Sequence, residues 1–270
     1  MGSDMNDTNT RKTVLKVEGV SKNFGSVVAL NDVSLEVYED EVVGLVGDNG
    51  AGKSTLIKIL SGNFPADKGA VYLEGKRVSF RRPSDARQMG IETVYQDLAL
   101  CGNLDAVANL FIGREITRKF LGFEVLQKAE MDRQAAQVLG RIGTNFPSVH
   151  ELVEYMSGGQ RQAVALGRFI GWGDKLILLD EPTAALGVRE TSHVLELVAK
   201  TRKEKGVSMI LISHNLQHVF KIADRIVVMR LGEVVGVRER RRTTPDEIVS
   251  LITGAVFINQ EVNGENSQPN

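Results

Sequence analysis

Apolar and polar residues alternate from Val14 to Val20 and again from Ser34 to Tyr38, the pattern of strands with one buried face. Val42-Val43-Gly44-Leu45-Val46 is apolar throughout, which predicts a central parallel strand covered on both faces. It runs into a glycine-rich loop, after which Ser54 to Leu60 reads as a helix closed by Gly62. Val71-Tyr72-Leu73 followed by Glu74-Gly75-Lys76 predicts a hairpin near residues 70 to 80. From Asp97 to about Phe169 the pattern turns helical, most clearly over Asp132 to Ile142 and Ser157 to Phe169. Strand patterns return at Leu176 to Asp180, Met209 to Ser213 and Arg225 to Met229, with Arg189 to Lys203 as a crossover helix. A helical insertion in an α/β core accounts for this order better than two successive domains, and no internal repeat is visible. Residues 1 to 12 and 258 to 270 are polar and are expected to be disordered.

Composition narrows the classes only at the edges. The 270 residues are 42% hydrophobic and 25% charged, ordinary for a globular protein able to bury a sizeable core. A formal net charge of -1 lacks the basic footprint of nucleic-acid binders. The single cysteine, Cys101, forms no internal disulfide and suits a reducing cytosol. Apolar runs such as Met209 to Ile212 fall far short of the roughly 20 residues a membrane helix needs. The expectation is a soluble cytoplasmic chain, held at any membrane by something else.

The chemistry begins at Gly47-Asp48-Asn49-Gly50-Ala51-Gly52-Lys53-Ser54, which fits the phosphate-loop pattern G-x-x-x-x-G-K-[ST]. Such a loop wraps backbone N–H groups around phosphates at a helix N-terminus, where the helix dipole favours anions. Side chains at Gly50 or Gly52 would obstruct that approach. Lys53 is placed to reach the β- and γ-phosphates, the Ser54 hydroxyl to bind Mg²⁺, and Thr55 to touch the α-phosphate.

Leu176-Ile177-Leu178-Leu179 ends in Asp180, where a carboxylate can hold the metal through its water shell, and in Glu181, which can orient and deprotonate the attacking water. The plainer alternative for Asp180-Glu181-Pro182 is a polar strand exit. Gln96 stands at another strand-like end, after Val94-Tyr95, and offers the metal or water a neutral amide. Alone it is weak evidence, since most glutamines are solvated. His214 follows Met209-Ile210-Leu211-Ile212; a lone histidine is more often structural, but at a sheet's C-terminal edge it is a candidate γ-phosphate contact. Ser157-Gly158-Gly159-Gln160 opens a second helix with a capping serine and bare backbone amides. Two anion-binding helix starts in one chain suggest a phosphate held from both sides.

With these motifs in this order, the chain resembles the nucleotide-binding subunit of an ATP-binding cassette (ABC) transporter over roughly residues 13 to 255. Gly47 to Ser54 resembles Walker A, Leu176 to Asp180 Walker B, Glu181 the catalytic glutamate and Gln96 the Q-loop. Met156 to Gln160 resembles the signature and His214 the switch histidine. Phe24, in Ser21-Lys22-Asn23-Phe24-Gly25, matches the aromatic that stacks on adenine; without the family it reads as a core residue.

The resemblance implies one α/β domain over 13–257, with a mostly parallel P-loop sheet and an N-terminal antiparallel β part. Residues 13–96 and 170–257 would form its ATP-binding core, and 97–169 its helical subdomain. Asn109-Leu110-Phe111-Ile112-Gly113-Arg114-Glu115, Val94 to Leu100 and Pro182 to Val188 resemble importers of simple sugars of the ribose, xylose and fructose kind. Gly187 departs from the pattern, since most cassettes carry Asp there.

The function implied is ATP hydrolysis with Mg²⁺, in a head-to-tail dimer with a second cassette. That dimer would drive a membrane permease fed by an extracytoplasmic sugar-binding protein, with no nucleic acid involved. Two alternatives stand beside it: an ATP-driven switch acting on nucleic acid or ribosomes, and a non-hydrolysing regulatory cassette. The Arg238 to Arg242 run reads as a solvated face or a permease or lipid contact.

Overall fold

The computed structural model describes residues 11–95, 100–143, 146–184 and 186–255. Gln96 and most of the two polar termini expected to be disordered fall outside them. In chain order the elements begin β1 (Thr13–Phe24), β2 (Val27–Tyr38), β3 (Val42–Gly47), α1 (Lys53–Leu60), β4 (Lys68–Leu73), β5 (Lys76–Val78), α2 (Pro83–Gln88) and β6 (Ile91–Val94). Next come α3 (Ala106–Phe111), β7 (Thr117–Phe120), β8 (Phe123–Leu126), α4 (Lys128–Ile142) and α5 (Gly158–Trp172). The remainder is β9 (Leu176–Asp180), α6 (Val188–Lys205), β10 (Ser208–Ile212), α7 (Leu216–Ile222), β11 (Arg225–Arg230), β12 (Glu233–Glu239) and α8 (Pro245–Thr253).

Six strands form the central sheet in the order β12-β11-β3-β10-β9-β6. All its pairings are parallel except β11 with β12. The apolar run of β3 lies between β10 and β11, as its lack of alternation predicts. Successive residues on these strands feed opposite cores. Val42, Val46, Ile177, Leu179, Met209 and Leu211 face the helical side, with α3 to α6. Val43, Leu45, Leu176, Leu178, Ile210 and Ile212 face α1 and the antiparallel sheet β2-β1-β4-β5. A period of two with both faces covered requires an uninterrupted apolar sequence, so local pattern and global layering agree. The predicted hairpin forms as β4–β5, turning through Glu74 and Gly75 at φ 48° and 77°.

Within the stretch expected to be helical, β7 and β8 pair as an antiparallel ribbon. The periodicity missed it because none of its residues packs into either core. The basic run near residue 240 is largely engaged. Arg238 donates to Glu247 (2.6 Å), Arg242 pairs with Glu239 (3.1 Å) and Arg240 donates to the Phe220 carbonyl.

Candidate functional site

The parallel strands β3, β9 and β10 end together, so Gly47, Asp180 and the Ser213-His214 pair meet at one sheet edge. The loop after β3 is closed by its own lysine. Lys53 Nζ donates to the carbonyls of Gly47 and Asp48, both at 2.8 Å. Its glycines answer different demands. A Cβ on Gly47 would lie 2.2 Å from the Met229 carbonyl oxygen, and one on Gly52 2.6 Å from that of Ala29. Gly50 has open space around it but φ +80°. Packing therefore demands glycine at 47 and 52, while position 50 is left clear for an incoming group. Asn49 donates its N–H to Asp48 Oδ1 (2.7 Å), and Ala51 to the Asp48 carbonyl (3.1 Å). Ser54 and Thr55 lie in the first turn of α1, beside Lys53. Burial lowers the Lys53 ammonium's pKa, opposed by Glu181, Asp180 and Asp48.

Asp180 is buried, and its Oδ1 has no hydrogen-bond partner. Burial pushes its carboxyl above the ordinary value, against the pull of the Ser54 hydroxyl. A buried, unpartnered carboxylate oxygen beside a serine hydroxyl fits a hard cation that takes oxygen ligands. Among the described residues no three His, Cys, Asp or Glu side chains cluster as a metal site. A cation here would complete its shell with water and phosphate oxygens, as Mg²⁺ does.

Glu181 sits in the left-handed region at φ 52°, uncommon for a residue with a side chain. Its N–H donates to the Ile212 carbonyl (3.1 Å), tying the exit of β9 to that of β10. This brings Glu181 Oε2 to 2.8 Å from His214 Nδ1, with the carboxylate mostly covered and the imidazole 76% exposed. A covered carboxylate steered by a histidine that reaches solvent is suited to hold and deprotonate a water. Behind them, His218 Nδ1 lies 3.3 Å from the Thr183 hydroxyl, and burial lowers its pKa.

Ser157 to Gln160 form a capping box at the start of α5. The Ser157 N–H donates to Gln160 Oε1 (2.9 Å), and the Gln160 N–H to Ser157 Oγ (3.2 Å). Gly158 and Gly159 have nothing within 4 Å of where a Cβ would stand. A 330 Å³ cavity beside them is lined by Leu186, Glu190 and His193, and by no phosphate-loop residue. Among the described residues no hydrogen bond or ion pair joins Ser157, Gly158 or Gly159 to Gly47 to Thr55.

Phe24, at the end of β1, is 48% exposed rather than a core residue. Phe64 meets it edge-on at 5.3 Å, and Lys22 Nζ lies 5.6 Å from its ring centre. Neither Lys22 nor Phe64 was foreseen; Lys22 carried a signal, standing two residues before Phe24. Gln162 was also missed. It is buried, and its amide donates to the Pro182 carbonyl, linking α5 to the segment after Glu181. A polar residue on the buried face of α5 was the available clue. Gly187 caps α6 in extended backbone (φ -67°, ψ 169°), and a Cβ there would meet the Glu190 carboxylate at 2.5 Å.

Comparison with known proteins bears on the same residues. Residues 30–184 match the ABC transporter family model. The chain is 44% identical to the fructose import ATP-binding protein of Rhizobium meliloti, over 91% of its own length and 95% of the relative's. It is 45% identical to the xylose/arabinose import ATP-binding protein of Sulfolobus acidocaldarius, over 89% and 94%. Among solved structures it resembles a dimeric post-hydrolysis state of an ATP-binding cassette bound to ADP and Pi. That likeness has TM-score 0.73 and 25% identity, and covers 85% of this chain and 100% of that one.

Proposed function

The chain belongs to the ABC transporter family and is an ATP-hydrolysing cassette, and on that premise we propose that it energises uptake of a simple sugar through a separate membrane permease. ATP is the substrate. Its phosphates lie in the loop Gly47 to Thr55, with Lys53 on the β- and γ-phosphates and Phe24 against the adenine. Ser54 and Asp180, with Gln96, would hold Mg²⁺, which supplies charge neutralisation on the phosphates. Glu181 orients the attacking water and takes its proton. His214 fixes Glu181 and reaches the γ-phosphate.

Ser157, Gly158, Gly159 and Gln160 act on the nucleotide of a second cassette, so two copies close head to tail around ATP and separate after hydrolysis. The segment from Gln96 to about Glu115 docks the permease, which keeps the chain at the cytoplasmic face of the membrane. A sugar-binding protein outside the cell delivers the solute, and nucleic acid plays no part.

One observation carries this reading. The Glu181–His214 pair is assembled at 2.8 Å beside the loop, while Ser157, Gly158 and Gly159 are exposed and, among the described residues, share no cavity with the phosphate loop. Half of a two-sided site is therefore offered outward. Glu181→Gln should cut steady-state ATP turnover by roughly 10²- to 10⁴-fold and leave an ATP-bound dimer that persists in size-exclusion chromatography. Unchanged turnover would remove Glu181 from its role.

A further inference from the structure

The ribbon β7–β8 presents an apolar surface outside both cores. Among the described residues no third strand pairs with it, and none of Thr117 to Leu126 belongs to either core. Its register places Phe120 opposite Phe123 and Arg118 opposite Val125, so those four share one face. Phe120 is 57% exposed, Leu121 83% and Phe123 76%. The turn has both central residues at positive φ, Leu121 at 51° and Gly122 at 86°. That geometry favours Asn, Asp or Gly at its first position. Leucine there strains the backbone and exposes an apolar side chain, so neither turn stability nor core packing accounts for it.

Charge narrows the occupant. Arg118, Lys119 and Lys128 form no salt bridge or side-chain hydrogen bond among the described residues, and Glu124 is the one carboxylate between Thr117 and Leu126. An apolar, aromatic tip with unpaired cations set behind it matches the layering of an anionic bilayer surface. Aromatic and aliphatic groups enter at headgroup depth, and Arg and Lys reach the phosphates. We infer that the β7–β8 hairpin inserts its Phe120-Leu121-Gly122-Phe123 tip into an anionic lipid surface, as a membrane contact in its own right. The contact does not depend on the transport reading, and no helix among the described residues is long and apolar enough to cross a membrane.

The test is sedimentation of the full chain with phosphatidylglycerol-containing vesicles and with pure phosphatidylcholine vesicles, without any permease. The protein should partition onto the anionic vesicles and be released by salt. Leu121→Asn with Phe123→Thr improves the turn and keeps strand formers, yet should weaken partitioning at least roughly tenfold. Arg118→Glu with Lys128→Glu should weaken it about as much on anionic vesicles alone. Melting temperature and ATP turnover should stay at wild-type values, showing that the fold is intact. Three outcomes overturn the inference: no vesicle binding by wild type, equal binding by the tip variant, or equal binding to neutral vesicles. Self-association through the hairpin without lipid would assign the surface to a second copy instead.

Discussion

The phosphate loop and the start of α5 use the same material, glycines and backbone amides opening a helix, but the chain surrounds them differently. Around the loop both ends are tightly packed, and only Gly50 faces open space. Met229 and Ala29 press on Gly47 and Gly52, and Lys53 draws in the carbonyls of Gly47 and Asp48. At Ser157 to Gln160 the capping box closes the helix start on itself, and Gly158 and Gly159 face open space. One region is a cradle packed from within the chain; the other faces open space, as the proposed contact with a second cassette requires. Preorganised donors belong where a ligand is bound, whereas on the proposed reading the start of α5 engages and releases a partner each cycle and gains nothing from being buried beforehand.

The sharpest way to break this contrast is to damage each region in a separate copy. Lys53→Ala and Gly159→Asp should each lower ATP turnover by roughly 100-fold or more. Mixed in equal amounts, the two variants should regain about a quarter of wild-type turnover. Half the random dimers are mixed, and each of those keeps one intact composite site. A mixture as inactive as its components would place both regions in the same copy's site.

A smaller effect is expected from Phe24→Ala. Loss of stacking should raise the KM for ATP roughly tenfold with kcat retained, since a base stacked on an aromatic ring contributes about 1–3 kcal/mol. A fall in kcat at constant KM would assign Phe24 a role other than adenine stacking.

The smallest concerns the cost of keeping the cradle ready. Burial raises the folded-state pKa of Asp180, so its favourable contribution is present below the ordinary carboxylate value and is lost as pH rises through the folded value. At neutral pH the ionised group is a burden on the nucleotide-free fold. Asp180→Asn should therefore raise its melting temperature at pH 7 by about 2–4 °C and lose the further stabilisation by Mg²⁺ and ATP. The gain over wild type should vanish at acidic pH. A variant that melts lower than wild type at pH 7 without nucleotide would reverse the assignment.

Much of this was legible in order along the chain. The loop, the capping serine and the apolar strands are local patterns, and local patterns survive translation into β3, α1, β9, β10 and α5 because both faces of the central sheet are covered. The ribbon β7–β8 was not legible, since its apolar residues face no core and so obey no burial period. Phe120-Leu121-Gly122-Phe123 carried the one usable sign, a glycine in a short turn between two phenylalanines.

By itself, then, the sequence determined which side chains could meet phosphate and metal, and the layered α/β order that carries them. Only the tertiary structure decided their company. Glu181 and His214, 33 residues apart, become a pair because β9 and β10 lie side by side and one backbone bond joins their exits. Asp180 keeps an unsatisfied oxygen because its strand ends inside the protein. Contacts between distant segments depend on strand order and register, which periodicity does not encode.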